Sequence, residues 1–158
     1  MTDEIRGWFH GRLPDDWFPG GLEVTVDREE VVVVGTIAAP EPGAELGRVK
    51  RFREDTREAR ITIAEEAEAR FGRKVSWGVR VNDERYLFTH LAVPVMTRLR
   101  QRERVVLDTL IDAGVARSRS DALAWCVRLV EEHEGDWINE LRDALVHVEE
   151  VRKRGPGG

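Results

Sequence analysis

From residue 46 to residue 71 the chain places apolar or small side chains at steps of three and four: Val49, Phe52, Thr56, Ala59, Ile63 and Ala67. Only an α-helix gathers such positions on one face. Phe71 lies a further turn on, and Gly72 supplies a stop. The spacing predicts a single helix over about 46–71, roughly 40 Å long. Its first half, "RVKRFREDTREAR", is dense in both charges and reads as a solvated face laced with ion pairs. An auxiliary anion-binding surface is the alternative.

The flanks have a different period. "LEVTVDREEVVVVGTIA" (22–38) alternates Val24 and Val26 with polar residues, turns at "DRE", and continues as the buried run Val31 to Val34. That is a hairpin. Gly35-Thr36 after a valine strand invites a phosphate loop, but G-x-x-x-x-G-K-[ST] does not follow. "APEPGAE" (39–45) is a breaker-rich connection. "KVSWGVRV" (74–81), a turn at "NDE" and "RYLFTHLAV" (85–93) make a second hairpin. Two hairpins and one long helix predict an α+β module over residues 1–92, with a small antiparallel sheet covered by the helix. Residues 1–21 read as loop. Their aromatics Trp8, Phe9, Trp17 and Phe18 are too many to leave in water and are expected to fold back over the core. A sharper alternative makes them a surface for a ligand or partner.

Composition narrows the class. With 158 residues, 41% apolar and 35% charged, the chain is globular and charge-coated. No run approaches the roughly 18–20 apolar residues that cross a bilayer, so no membrane association is expected. The start, "MTDEIRGWFHGR", lacks an apolar h-region, and Cys126 is the lone cysteine. A cytoplasmic site without internal disulfides is the expectation. The net charge of −5 hides an asymmetry: residues 94–120 hold six basic and three acidic side chains, whereas residues 1–47 hold three basic and ten acidic. Positive charge concentrated mid-chain can form a local patch on an acidic protein.

Beyond residue 93 the pattern becomes helical. "PVMTRL" (94–99) is short and extended. "RQRERVVLDTLIDA" (100–113) carries Val106, Leu107, Leu110 and Ile111 on one face, and Gly114 ends it. Ser118 or Ser120 can cap the next helix, "DALAWCVRLVEEHE". Asp136 is expected to cap a third, with Ile138, Leu141, Leu145 and Val148 on a stripe. The divisions are then 1–92, 93–134, a C-terminal helix over 135–153 and a disordered tail at 154–158.

A strand ending in Arg98-Leu99, a helix ending in Ala-Gly, and a second helix opening with "RSRSDAL" together resemble the ribbon–helix–helix family of DNA-binding proteins, of the MetJ and Arc type. The match covers residues 93–134. The full chain is also similar to uncharacterised proteins of GC-rich bacteria. The resemblance implies a homodimer, or a higher oligomer, whose two strands pair into a ribbon in the major groove of double-stranded DNA. Alternation along the strand sets Val95, Thr97 and Leu99 on one side and Pro94, Met96 and Arg98 on the other. Met96 and Arg98 become the base-reading positions, with Arg98 able to donate two hydrogen bonds to guanine. Phosphate contacts fall to Arg100, Arg102 and Arg104 and, at the tip of the second helix, to Arg117, Ser118, Arg119 and Ser120. The extra C-terminal helix extends the dimer contact. The implied function is transcriptional regulation, with the N-terminal module open to a protein partner or a small effector. The alternative is an interaction or assembly module that uses the same core only to dimerise.

Nothing points to catalysis. His10, His90, His133 and His147 are scattered, and none pairs with Cys126 or a carboxylate at ligand spacing. Glu65, Glu66 and Glu68 read as a solvated helix face, and Cys126 sits among core positions. No catalytic residue, metal or cofactor is expected.

Overall fold

The computed structural model describes residues 1–156. The chain divides into two compact units, Met1–Val95 and Met96–Gly158.

The first unit begins with a helix, α1 (Thr2–Arg12), and not with the expected loop. Gly7 and Gly11 suggest a break, but Ile5 and Phe9 stand one turn apart and both are fully buried. Their burial outweighs a glycine penalty of about 1 kcal/mol each. Asp3 and Glu4 in the first turn, and His10 and Arg12 in the last, complement the helix dipole. Arg12 ties the helix down with a two-pronged bond to Glu66, at 2.6 and 2.9 Å.

Four strands follow in the spatial order β1 (Leu22–Val26), β2 (Glu30–Ile37), β3 (Lys74–Val81), β4 (Glu84–Leu87). The outer pairs are antiparallel, as hairpins must be, but β2 and β3 are parallel, with Val33 opposite Trp77. The sheet is therefore mixed and not antiparallel. A helical crossover separates β2 from β3, and such a connection returns the chain in the same direction. The last strand stops at Leu87, short of the expected 93. At the β1–β2 turn the Asp27 carboxylate accepts from the N–H groups of Glu29 and Glu30, at 2.8 and 2.7 Å. Those bonds hold its pKa below the usual carboxylate range.

The predicted long helix is two helices, α2 (Glu45–Asp55) and α3 (Arg57–Phe71), broken at Thr56. Thr56 leaves helical geometry at φ −101° and ψ 0°. Its hydroxyl donates to the Phe52 carbonyl at 2.6 Å. Buried Arg60 staples the break, donating to Thr56 Oγ1 at 2.9 Å and to the Arg53 carbonyl at 2.7 Å. The apolar stripe survives because both halves face the sheet: Ile63 and Ala67 join Val24, Val31, Val33 and Trp77, while Phe52 joins Ile37, Val79 and Val81.

The four early aromatics pack on this core, as expected. Trp8 meets Phe9 edge-on at 4.9 Å, and Phe18 lies 5.3 Å from Phe52. Phe18 rests directly on Gly35 of β2, where a Cβ would fall 1.9 Å from the ring. The glycine that suggested a phosphate loop makes room for an aromatic ring.

The second unit is helical: α4 (Gln101–Asp112), α5 (Arg119–His133) and α6 (Gly135–Arg154). Gly114, at φ +77°, ends α4, and the Val115 and Ala116 amides fold back onto the Leu110 carbonyl at 2.9 and 3.1 Å. Leu107, Ala116 and Ala122 form its buried centre, bordered by Leu99, Leu110, Ile111, Leu123 and Cys126. Val106 does not join them and is exposed. Asp136 does not cap α6. Glu134 holds the cap position with no side-chain bond, and Asp136 lies inside the first turn. Of the expected tail, Arg154 closes α6 and Gly155 turns away at φ +69°. Gly157 and Gly158 lie outside the described residues.

Candidate nucleic-acid interface

The sequence-predicted residues fall in two places, the 94–99 segment with the start of α4, and the start of α5. Residues 94–98 are exposed, Val95 by 87% and Met96 by 96%. Leu99 is half-buried on the α4–α5 centre and anchors the segment at its C-terminal end. Residues 89–99 belong to no strand and make no backbone–backbone hydrogen bond among the described residues. Arg98 and Arg102 are exposed and likewise have no hydrogen-bond or ion-pair partner among the described residues.

Arg100 and Arg104 are partly occupied. The Arg100 amide donates to the Glu103 carboxylate at 2.6 Å, closing the start of α4, and its side chain stays exposed. Arg104 Nη1 donates to the Leu99 carbonyl at 2.6 Å, locking the turn from the extended segment into the helix.

At α5 the cap is Ser118 and not Ser120. The Ser118 side chain accepts from the Asp121 amide at 3.1 Å, and Asp121 Oδ2 accepts from the Arg117 amide at 3.0 Å. These two bonds fix the turn after Gly114. The Arg119 and Ser120 amides carry no backbone partner, and both residues are exposed, so two N–H groups at the positive end of α5 face outward. Arg117 is exposed and stands 4.0 Å from Asp121.

Arg119 is held differently from the expectation of a free phosphate donor. It forms a two-pronged pair with Asp108 of α4, both bonds at 2.9 Å. The bond to Arg119 holds the Asp108 carboxyl below its ordinary range and raises the guanidinium's pKa in turn. Asp108 is the residue that sequence reasoning missed. It lies eleven positions before its partner, across a turn, and no helical or strand periodicity connects the two. Asp108 and Asp121 also set two carboxylates beside the tip of α5, which lowers the potential an anion meets there. The other candidates stand apart. Cys126 is half-buried at the edge of the core, and no cluster of metal-binding side chains occurs among the described residues. No helix among the described residues is long and apolar enough to cross a membrane.

Comparison with known proteins divides the chain at the same place. A family model described as "Rv1265-like protein, N-terminal domain" matches residues 3–87, and one described as "Mb1296 C-terminal domain" matches residues 100–152. Neither description names the ribbon–helix–helix family. The chain is 60% identical over 155 residues to the uncharacterized protein Mb1296 of Mycobacterium bovis, covering 94% of this chain and 69% of that relative. The uncharacterized protein Rv1265 of Mycobacterium tuberculosis matches with the same identity and coverage. No solved structure matches the chain. Uncharacterised bacterial relatives accord with the full-length resemblance noted above, and the chain belongs to the family of Rv1265-like proteins, with an Rv1265-like N-terminal domain followed by an Mb1296 C-terminal domain.

Proposed function

We propose that this protein is a homodimeric, cytoplasmic DNA-binding regulator in which residues 94–99 of two copies pair into a ribbon in the major groove. The observation that carries the reading is the state of that segment. Residues 94–98 are exposed, the segment's backbone groups have no backbone partner among the described residues, and it runs directly into α4. A second strand completes such a row of donors and acceptors. The C-terminal unit also lacks a sufficient interior of its own: Val105, Val106, Val127 and Val130 are exposed around its small centre. A second copy supplies the missing burial.

In this arrangement Met96 and Arg98 face base edges, and Arg98 is the hydrogen-bonding reader. The outward amides of Arg119 and Ser120, with Arg117 and the Ser118 hydroxyl, receive a backbone phosphate. Arg100 and Arg102 add salt-sensitive attraction. Arg104 and Arg119 serve chiefly to hold the frame, since both are already bonded within the chain. The N-terminal unit is left to receive a protein partner or small effector.

A second reading is an oligomeric assembly module that binds no DNA. The pairing of Arg119 with Asp108, and the carboxylate of Asp121 beside it, favour that reading. A gel shift with a random duplex at low salt separates the two. The first reading expects a shift that weakens steeply with salt and disappears in Ser120→Asp, which sets a negative charge at the phosphate seat. A stable dimer that ignores DNA at low ionic strength selects the second. A monomer in sedimentation removes the ribbon.

A further inference from the structure

Among the described residues α6 is an amphipathic helix that meets α5 near its start and buries no side chain fully. No residue of it is buried against the other described residues, although it is 20 residues, about 30 Å, long. Trp137, Leu141, Ala144, Val148 and Val151 repeat at steps of four and three, with Leu145 beside them. The large members of this stripe are 43–60% exposed. A polar-faced helix holding such a stripe in water is short of a contact surface.

The charges say what covers it. The start of the helix is acidic, with Glu134 and Asp136, and its end is basic, with Arg152, Lys153 and Arg154. Two copies side by side in parallel would set acid on acid and base on base. Two copies running antiparallel, centred on Ala144, bring the acidic start of each helix beside the basic end of the other: Glu134 shares a side of the stripe with Arg152 of the second copy, and Asp136 with Arg154, each about 3 Å from level. The same register sets Trp137 against Val151 and brings Leu141 within one residue, about 1.5 Å, of Val148. The small Ala144 falls at the crossing, where the backbones come closest. Antiparallel helix dipoles add to the attraction.

We propose that α6 pairs antiparallel with α6 of a second copy, in the register centred on Ala144. The pairing stands on the α6 face alone and does not depend on DNA binding.

Cysteine cross-linking of the full chain in a Cys126→Ala background tests it. Under mild oxidation Ala144→Cys links to itself. A mixture of Trp137→Cys and Val151→Cys chains carrying different tags yields the mixed dimer. Either of these alone links poorly, because its own copies lie about 21 Å apart along the axis. Self-linking of Trp137→Cys means a parallel pair and overturns the proposal, as does an absence of links in all three. Charge reversal gives an independent readout by sedimentation. Glu134→Arg weakens self-association on the order of ten-fold, and adding Arg152→Asp restores it. Failure of the second change to rescue the first also overturns the register. Loss of the gel shift with these links intact would sink the DNA reading and leave the helix pair standing.

Discussion

Replacing Gly35 with alanine tests the packing of the N-terminal unit more sharply than deleting a large side chain. Gly35 lies in β2 and is not among the positive-φ glycines, so its backbone accepts any residue. On propensity alone, Gly35→Ala stabilises by about 0.5–1 kcal/mol. The Phe18 ring reverses the sign. A Cβ at position 35 falls 1.9, 2.0 and 2.3 Å from three of its atoms, far inside contact distance. The strand is fixed on both sides by its pairing with β1 and β3, so the ring must move. Moving it breaks its packing on Phe52, at 5.3 Å, and on Trp17, at 6.0 Å. Two aromatic pairs at about 0.5–1.5 kcal/mol each, with half the burial of a phenylalanine, predict a loss of about 2–4 kcal/mol. Urea unfolding followed by near-ultraviolet circular dichroism measures it. Phe18→Ala alone should cost a similar amount, and the double variant no more than Phe18→Ala alone, because the clash leaves with the ring. A Gly35→Ala protein as stable as the parent, or additive losses in the double variant, would refute the reasoning.

Three further outcomes follow from the C-terminal unit. Ser118→Ala removes the cap of α5 and should lower its stability by about 1 kcal/mol, read in thermal unfolding, while Ser120→Ala leaves it unchanged. Arg98→Ala should weaken specific DNA binding by about 1–3 kcal/mol at one base position, measured by competition among single-base variants; an even loss over all sequences would make it a phosphate contact. The Asp108–Arg119 pair carries a pH signature. Asp108 has a depressed pKa when folded, so its stabilisation is present above the ordinary aspartate range and is lost as pH falls through the lowered value. Asp108→Asn should therefore flatten the acid limb of the stability profile, and a duplex shift at least as strong as the parent's is expected because Arg119 is released.

Which features were legible in the residues follows from how local their causes are. The β1–β2 hairpin, the β3–β4 turn, the stop at Gly114 and the serine cap of α5 each depend on a few neighbouring residues, and each stands where the spacing placed it within a few positions. The stripe from Val49 to Ala67 likewise announced helix, because period 3.6 is a property of the backbone. What tertiary structure decided is what depends on partners distant in sequence. Whether residues 1–12 coil depends on a sheet that buries Ile5 and Phe9. Whether the long stripe bends depends on Arg60 reaching back to Thr56 and to Arg53. Whether Arg119 is free depends on Asp108, which no periodicity links to it. Sequence by itself determined the two hairpins, the helical stripes and the candidate basic positions. The fold settled the parallel pairing of β2 with β3 and which arginines still have donors to spare, because long-range burial and ion pairing act between residues that only the folded chain brings together.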